Sequence, residues 1–288
     1  DLHALTDNEP IFVEKFVNEI VIDYLALGLN PNQAIIYVQS SIECQLYSLT
    51  NTLARLITVA ELLRVPTLKD KLRKNTSPET ANSLLLLYPV MMAADILINR
   101  AEKIPVGEDQ IAHLEVIREL ARRFNARYGE VFPMPKALQT NSYRILSLRG
   151  HGKMSKSSPD GAIFLTDNPK DAVKKIKKAE TAIEGKTSDN LNSHIILAKN
   201  LSDEKAEHDK IDEIIKEHLS GKKVMGDFKS VFAKIVERFL LQFQDKRKQF
   251  AGNIDFVNEV LANGAKIATI NANETMKLVK DKLHTKKE

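Results

Sequence analysis

Two lysines and two serines stand within five residues in the segment Lys153-Met-Ser-Lys-Ser157. Ammonium groups neutralise charge that develops on a departing phosphate group, while hydroxyls and backbone N–H groups supply directional hydrogen-bond donors. The flanking Gly150, Gly152 and Gly161 would let such a loop close over a bound nucleotide and reopen. By composition alone, a solvated loop of lysine and serine explains the segment better, so the surrounding sequence has to separate the two explanations.

A second group of candidate residues lies on one predicted helix, where Tyr88, Met92 and Asp95 are spaced i, i+4 and i+7 and therefore share a face. This face suits a flat apolar ring that carries one N–H donor, because methionine packs softly against rings and a carboxylate accepts the hydrogen bond. A core helix whose aspartate pairs with a nearby group fits the same spacing. Spacing alone favours that structural explanation.

The elements that must position these groups alternate between helices and short strands. An amphipathic helix is predicted from Pro10 to near Gly28, and a β-branched run at 35–39 predicts a buried strand. Residues 104–107 are predicted to be extended, and 144–148 is a second strand candidate. Between them, one helix face is predicted to contain Ile111, Leu114, Ile117, Leu120, Ala121 and Phe124.

This alternation indicates the α/β class. After Asp167 the periodicity is helical to the end of the chain, with no convincing strand. We therefore place a domain boundary near residue 165, with an α/β domain over 1–165 and an all-helical C-terminal domain over 166–288.

Composition restricts which broad class of protein the chain belongs to. The chain has 288 residues, 43% hydrophobic and 28% charged, as in ordinary globular proteins. Its most apolar run, 84–98, is interrupted and too short for a membrane span. One cysteine, Cys44, excludes an intrachain disulfide and fits a reducing cytoplasm. The net charge of +4 permits a nucleic-acid partner without requiring one, and solvated helix faces explain the lysines at 170–178 and 280–287 better than a basic binding face does.

The pentapeptide at 153–157 is the signature of class I aminoacyl-tRNA synthetases, and its context narrows the resemblance. The matching segments are Asp1-Leu-His-Ala-Leu-Thr6, Met92-Ala-Ala-Asp-Ile-Leu97, Ile104-Pro-Val-Gly-Glu-Asp-Gln110, His113-Leu-Glu115 and Arg123-Phe-Asn125. In this order and spacing they resemble the tryptophanyl-tRNA synthetase family of bacterial type. The resemblance is dense from residue 1 to about 180 and looser beyond.

The resemblance implies a Rossmann-type parallel-sheet catalytic domain followed by a helical, anticodon-binding domain. It implies an enzyme, tryptophan–tRNA ligase, which activates L-tryptophan with ATP to tryptophanyl-adenylate and transfers it to tRNA(Trp) in translation. Mg²⁺ is expected with ATP, although no dedicated group of metal ligands is apparent. A cytoplasmic homodimer that does not contact a membrane is also expected.

The family's site residues can be carried over position by position. The tryptophan-binding set is Asp95 on the indole nitrogen, Tyr88, Met92, Ile104, Val106, Gln110 on the substrate amino group, and His3. The ATP-binding set is Gly107, Glu108, Asp109, Ile145, Lys153, Met154, Ser155, Lys156 and Ser157. Of these, Lys153 and Lys156 are expected to stabilise the pyrophosphate and count as catalytic.

One departure from the family is the absence of its glycine-rich turn with paired histidines at any of the seven histidines. We expect residue 1 to fall after that turn, so that this chain lacks part of the ATP site and the intact gene product is the active form. Two alternatives stay open: a tyrosyl-tRNA synthetase, which shares the fold and the loop, and a catalytically inactive paralogue that binds tRNA.

Overall fold

The structure is a computed structural model, and it describes residues 1–6, 9–75, 80–107, 110–138, 145–150 and 152–284. Its contacts divide the chain into two compact units. The first contains Asp1–Asn141 and Asn253–Glu288, and the second is Ser142–Gly252.

The first unit is mainly helical and contains the described sheet. Its helices are α1 (Pro10–Ala26), α2 (Glu43–Ala54), α3 (Val59–Leu62), α4 (Pro66–Asn75), α5 (Ser83–Leu97), α6 (Ile111–Tyr128) and α11 (Ile254–His284), with short 3-10 helices at His3–Thr6 and Gln39–Ile42. Strands β1 (Lys103–Pro105) and β2 (Lys136–Leu138) pair in parallel, with Ile104 opposite Ala137. Helix α5 packs between α2 and α6 and contributes Val90, Ala94 and Leu97 to the core.

The second unit contains four α-helices among its described residues: α7 (Pro169–Lys177), α8 (Asp189–Asn200), α9 (Lys205–Leu219) and α10 (Met225–Ala251). A 3-10 helix at Pro159–Gly161 precedes them. Helix α10 packs on α7, α8 and α9, and Phe228 and Phe232 of α10 are among its largest fully buried side chains. The unit thus has a hydrophobic core of its own.

The parallel pairing of β1 with β2, together with the helical remainder, confirms the α/β class with helices following. The domain division at residue 165 stays a prediction. The compact units are bounded differently, because α11 packs on α2 and therefore belongs to the first unit. None of the helices in the described part of the chain combines the length and apolar character that crossing a bilayer requires.

The strand predicted at 35–39 is wrong. Residues 35–38 form no ladder with any described residue, and a 3-10 helix begins at Gln39. A strand needs a neighbouring backbone to pair with, whereas the carbonyl of Ile36 lies directly against Gly264 of α11. The second candidate, 144–148, is reduced to a single antiparallel bridge between Leu146 and Lys153, with Arg144 outside the described residues.

Helix α1 is confirmed, but two of the apolar residues that predicted it are exposed. It begins at Pro10, and Gly28 follows it with a φ of +99°. Phe16 and Ile20 are each 49% exposed, whereas Ile22 and Leu25 are buried. The helix contacts α11 and the first 3-10 helix.

Candidate active site

Helix α5 carries the predicted specificity residues and is fixed at its start by a side-chain cap. Asn82 accepts a hydrogen bond from the backbone N–H of Leu85 at 2.8 Å, which satisfies one of the free donors of the first turn. The helix continues through the buried Pro89 to Leu97. Burial of its apolar positions leaves the face with Tyr88, Met92 and Asp95 half-buried. The shared face predicted from the spacing is therefore present.

The carboxylate of Asp95 is held by two side chains. His3 Nε2 lies 2.7 Å from Asp95 Oδ2, and the Gln39 amide donates to Asp95 Oδ1 at 2.5 Å. The backbone N–H of His3 also donates to Gln39 Oε1 at 3.2 Å, so the three residues form a closed set. A carboxylate has about four acceptor positions. The described contacts use two of them, and Asp95 keeps capacity to accept from a ligand.

Tyr88 belongs to a second hydrogen-bonded chain that ends near the predicted nucleotide segment. The Tyr88 hydroxyl lies 2.7 Å from Thr67 Oγ1, and the Thr67 hydroxyl also bonds to His113 Nε2. On the other side of the ring, His113 Nδ1 lies 2.7 Å from Gln110 Oε1. An amide oxygen only accepts, so Nδ1 of His113 donates to Gln110, and in the neutral imidazole Nε2 then accepts from Thr67. The orientation of Gln110 is thereby linked to that of Tyr88.

The remaining residues predicted in the first unit lie along the segment from β1 to α6. Ile104 is buried in β1, and Val106 and Gly107 follow it half-buried. The Gly107 carbonyl accepts a hydrogen bond from the backbone N–H of Gln110 at 3.0 Å, just before α6 begins. Glu108 and Asp109, which were predicted to contact ATP, lie outside the described residues.

The lysine- and serine-rich segment forms the second arm of a small hairpin in the second unit. Leu146 and Lys153 pair across it in antiparallel fashion. The backbone N–H of Met154 donates to the Ile145 carbonyl at 2.9 Å, and that of Ser147 donates to the Gly152 carbonyl at 3.0 Å. The turn uses left-handed backbone at two glycines, at 150 with a φ of +85° and at 152 with a φ of +73°.

The side chains of this arm divide into exposed and anchored groups. Lys153, Lys156 and Ser157 are exposed, so both ammonium groups are available to a ligand. Met154 is half-buried against the core of the unit, where its sulfur accepts a hydrogen bond from the backbone N–H of Ile163 at 3.4 Å. Ser155 is half-buried as well. The methionine thus holds the segment while the lysines stay accessible.

The structure adds residues that the sequence did not single out for the site, namely Gln39, Thr67 and His113. Gln39 is the last residue of the run that was predicted to be a strand, and polar residues at such ends are natural site candidates. His113 stands in one of the segments that carry the family resemblance. Thr67 had no signal in the sequence, because only the fold brings it to Tyr88.

Comparison with known proteins decides which family this arrangement belongs to. The family described as tRNA synthetases class I (W and Y) matches residues 1–241. The chain belongs to this family. Its members named below are the tryptophan enzymes, and the similarity extends over nearly the whole chain.

The tryptophan–tRNA ligase of Borreliella burgdorferi is 35% identical over 98% of this chain and 82% of its own length. Among solved structures, the tryptophanyl-tRNA synthetase of Mycoplasma pneumoniae covers 98% of this chain and 86% of its own, with a TM-score of 0.84 and 29% identity. The structure of the Campylobacter jejuni enzyme, complexed with ADP and tryptophan, covers 98% of this chain and 87% of its own, with a TM-score of 0.77 and 27% identity.

Proposed function

We propose that this chain acts as a tryptophan–tRNA ligase, which forms tryptophanyl-adenylate from tryptophan and ATP and transfers the amino acid to tRNA(Trp). The observation that carries the proposal is the carboxylate of Asp95, held by His3 and Gln39 on a half-buried helix face. Membership of the family and the similarity to tryptophan–tRNA ligases also support tryptophan as the substrate.

In this proposal Asp95 selects the amino acid. Its carboxylate accepts the indole N–H, and Met92 packs against the ring. A site built around such an acceptor disfavours side chains that leave it unpaired, which is a strong basis for discrimination. The clamp by His3 and Gln39 matters because an acceptor that is already oriented loses little entropy when the ligand binds.

The activation step is a transfer of the adenylyl group. A carboxylate oxygen of tryptophan attacks the α-phosphorus of ATP, the bond from that phosphorus to the bridging oxygen breaks, and pyrophosphate leaves. Lys153 and Lys156 neutralise the charge that accumulates on the leaving group, and catalysis consists mainly of positioning and charge stabilisation. A ribose hydroxyl of tRNA then attacks the carbonyl carbon of the adenylate, and AMP leaves.

Several further parts of the proposal rest on the family. We expect Mg²⁺ to accompany the phosphates of ATP. Among the described residues no group of three or more His, Cys, Asp or Glu is arranged to hold a metal ion. The helical, anticodon-binding role of 166–288, the homodimer and the cytoplasmic location also stay predictions.

The test is ATP–pyrophosphate exchange with protein from the complete gene, offering tryptophan and tyrosine separately. Because the matched family contains enzymes for both amino acids, the pair of substrates is the necessary comparison. Exchange with tryptophan alone is the expected result. Exchange with tyrosine would retain the enzyme class and overturn the role of Asp95, and exchange with neither would favour the inactive paralogue.

The role of the loop lysine can be tested in the same assay. Lys156→Ala should lower kcat for activation by about 100-fold or more, as loss of a charge that stabilises a transition state does, while the KM for tryptophan changes little. Lys186→Ala removes another exposed lysine of the same unit and serves as the control. A collapse of tryptophan binding in Lys156→Ala would contradict the assigned role.

A further inference from the structure

Helix α8 turns a buried polar face toward the hairpin of the second unit. Asn190, Ser193 and His194 occupy positions i, i+3 and i+4, which places them on one side of the helix. Their exposed fractions are 7%, 5% and 0%. Three polar residues buried side by side are unusual in a helix whose other buried positions are apolar, so their contacts need an explanation.

Two of these side chains bond directly to the first arm of the hairpin. Ser193 Oγ accepts a hydrogen bond from the backbone N–H of Leu146 at 2.7 Å. The amide of Asn190 donates to the carbonyl of Ser147 at 3.2 Å. Both contacts are to backbone atoms, and they therefore fix where this arm lies on α8, whatever side chains the arm carries.

The first arm in turn positions the second, which carries Lys153. Leu146 pairs with Lys153, and the N–H of Ser147 donates to the Gly152 carbonyl at 3.0 Å. The two backbone groups held by α8 thus belong to the same residues that register the lysine-bearing arm. A shift of the first arm on α8 would therefore also move the second, lysine-bearing arm, because these bonds join the two arms.

This polar face is a poor choice if stability alone is its purpose. Among the described residues, Asn190 Oδ1 and both ring nitrogens of His194 have no hydrogen-bond partner of good geometry. Buried polar atoms without partners are destabilising, and among the described contacts the bonds of Asn190 and Ser193 to the hairpin are what this face gains in return. Departures of this kind from favourable local chemistry are expected where position matters for function.

We infer that Asn190 and Ser193 of α8 are positioning residues for ATP-dependent activation: they bind the backbone of Leu146 and Ser147 and so hold the hairpin that carries Lys153 and Lys156. They do not touch the substrate themselves. This inference rests on the proposed function, because it concerns how the loop lysines reach the phosphates of ATP.

The decisive variant is Asn190→Asp, which keeps the shape of the side chain and replaces its N–H donor by a second oxygen facing the Ser147 carbonyl. Asn192→Asp is the matched control, because Asn192 is exposed on the same turn of α8. An acidic residue in the first turn of a helix is favourable, but a carboxylate at 190 would be buried and therefore costly, so Ser193→Ala, which introduces no charge, is measured beside it. Ser193→Ala removes the second contact.

In protein from the complete gene, Asn190→Asp and Ser193→Ala should raise the KM for ATP in pyrophosphate exchange by about tenfold, the usual effect of one lost hydrogen bond that orders a site. The KM for tryptophan should stay within about twofold of wild type. Asn192→Asp should match wild type in both constants. A purely structural role would instead reduce the active fraction and leave both KM values unchanged, which would overturn the inference.

Amide hydrogen exchange on the present chain separates this inference from the proposed function. In Asn190→Asp, the amides of Leu146, Ser147 and Met154 should exchange about tenfold faster than in Asn192→Asp, because the arm is released from α8. Equal rates in the two variants would overturn the anchoring, whatever the assay shows. If wild-type protein exchanges pyrophosphate with neither amino acid, the proposed function fails, and the hydrogen-exchange comparison still decides whether α8 holds the hairpin.

Discussion

Acidification should destabilise the second unit through one buried histidine. His194 is fully buried, and its ring stacks on Phe232 with centroids 6.0 Å apart. Burial lowers the pKa of His194 from 6.5 to about 4; the backbone of Leu146 and Ser147 opposes this in part, and the charge of Lys229 adds to it. The folded state therefore binds a proton on this ring more weakly than the unfolded state does.

The size of the effect follows from the two pKa values. The interval from 6.5 to about 4 corresponds to about 3 kcal/mol of unfolding free energy, since a change of one pKa unit is worth roughly 1.4 kcal/mol. Because the pKa is lower in the folded protein, this contribution is complete above pH 6.5. It declines as the pH falls through that value and is lost below about pH 4.

The measurement is urea unfolding followed by far-ultraviolet circular dichroism, for wild type and His194→Phe, between pH 7 and pH 4. Phenylalanine fills a similar space and does not titrate. As the pH falls from 7 to 4, the unfolding free energy of the variant should therefore rise by about 2–3 kcal/mol relative to that of wild type. His284→Gln, at the exposed end of α11, is the control and should show no such shift. Parallel pH curves for His194→Phe and wild type would refute the reasoning.

Two other perturbations have effects that the structure defines. Gly264→Ala should lower the unfolding free energy, measured by thermal unfolding, by about 1–3 kcal/mol, because a Cβ at Gly264 would overlap the carbonyl of Ile36. The control is Gly226→Ala in α10, where an added Cβ meets nothing within 4 Å. This variant should be neutral or slightly stabilising in the same measurement. Glu61→Gln should lower the Tm at pH 7, because hydrogen bonds from Arg123 hold the pKa of Glu61 at about 2. The Tm difference between wild type and variant should shrink as the pH falls from 4.5 toward 2. A Tm difference independent of pH would contradict this prediction.

Helices were predictable from the sequence because their signal is local. On α6 the predicted face is buried at Leu114, Ile117, Leu120 and Phe124, and only its first member, Ile111, is exposed. The run at 35–39 has the composition of a strand and is not one. A strand depends on a partner backbone elsewhere in the chain, and no periodicity within five residues reports that partner.

The site was predictable in the same uneven way. Spacing on one helix placed Tyr88 with Asp95, because residues three and four apart share a face. The partners of Asp95 lie far away in sequence, since His3 and Gln39 are separated from it by 92 and 56 positions. Nothing local marks such a pairing, and for His3 the family resemblance supplied the signal that spacing could not.

These distant partners also explain why motifs alone leave tryptophan and tyrosine open as substrates. A carboxylate can accept from an indole N–H or from a phenol O–H, so the residue type at 95 does not separate the two, and the selection proposed for Asp95 depends on the direction in which its free acceptor position points. Which acceptor positions remain depends on how His3 and Gln39 occupy the carboxylate, and their contacts restrict the directions from which a donor can approach. The preference between the two amino acids is therefore a property of the packed unit, and it has to be measured with both substrates.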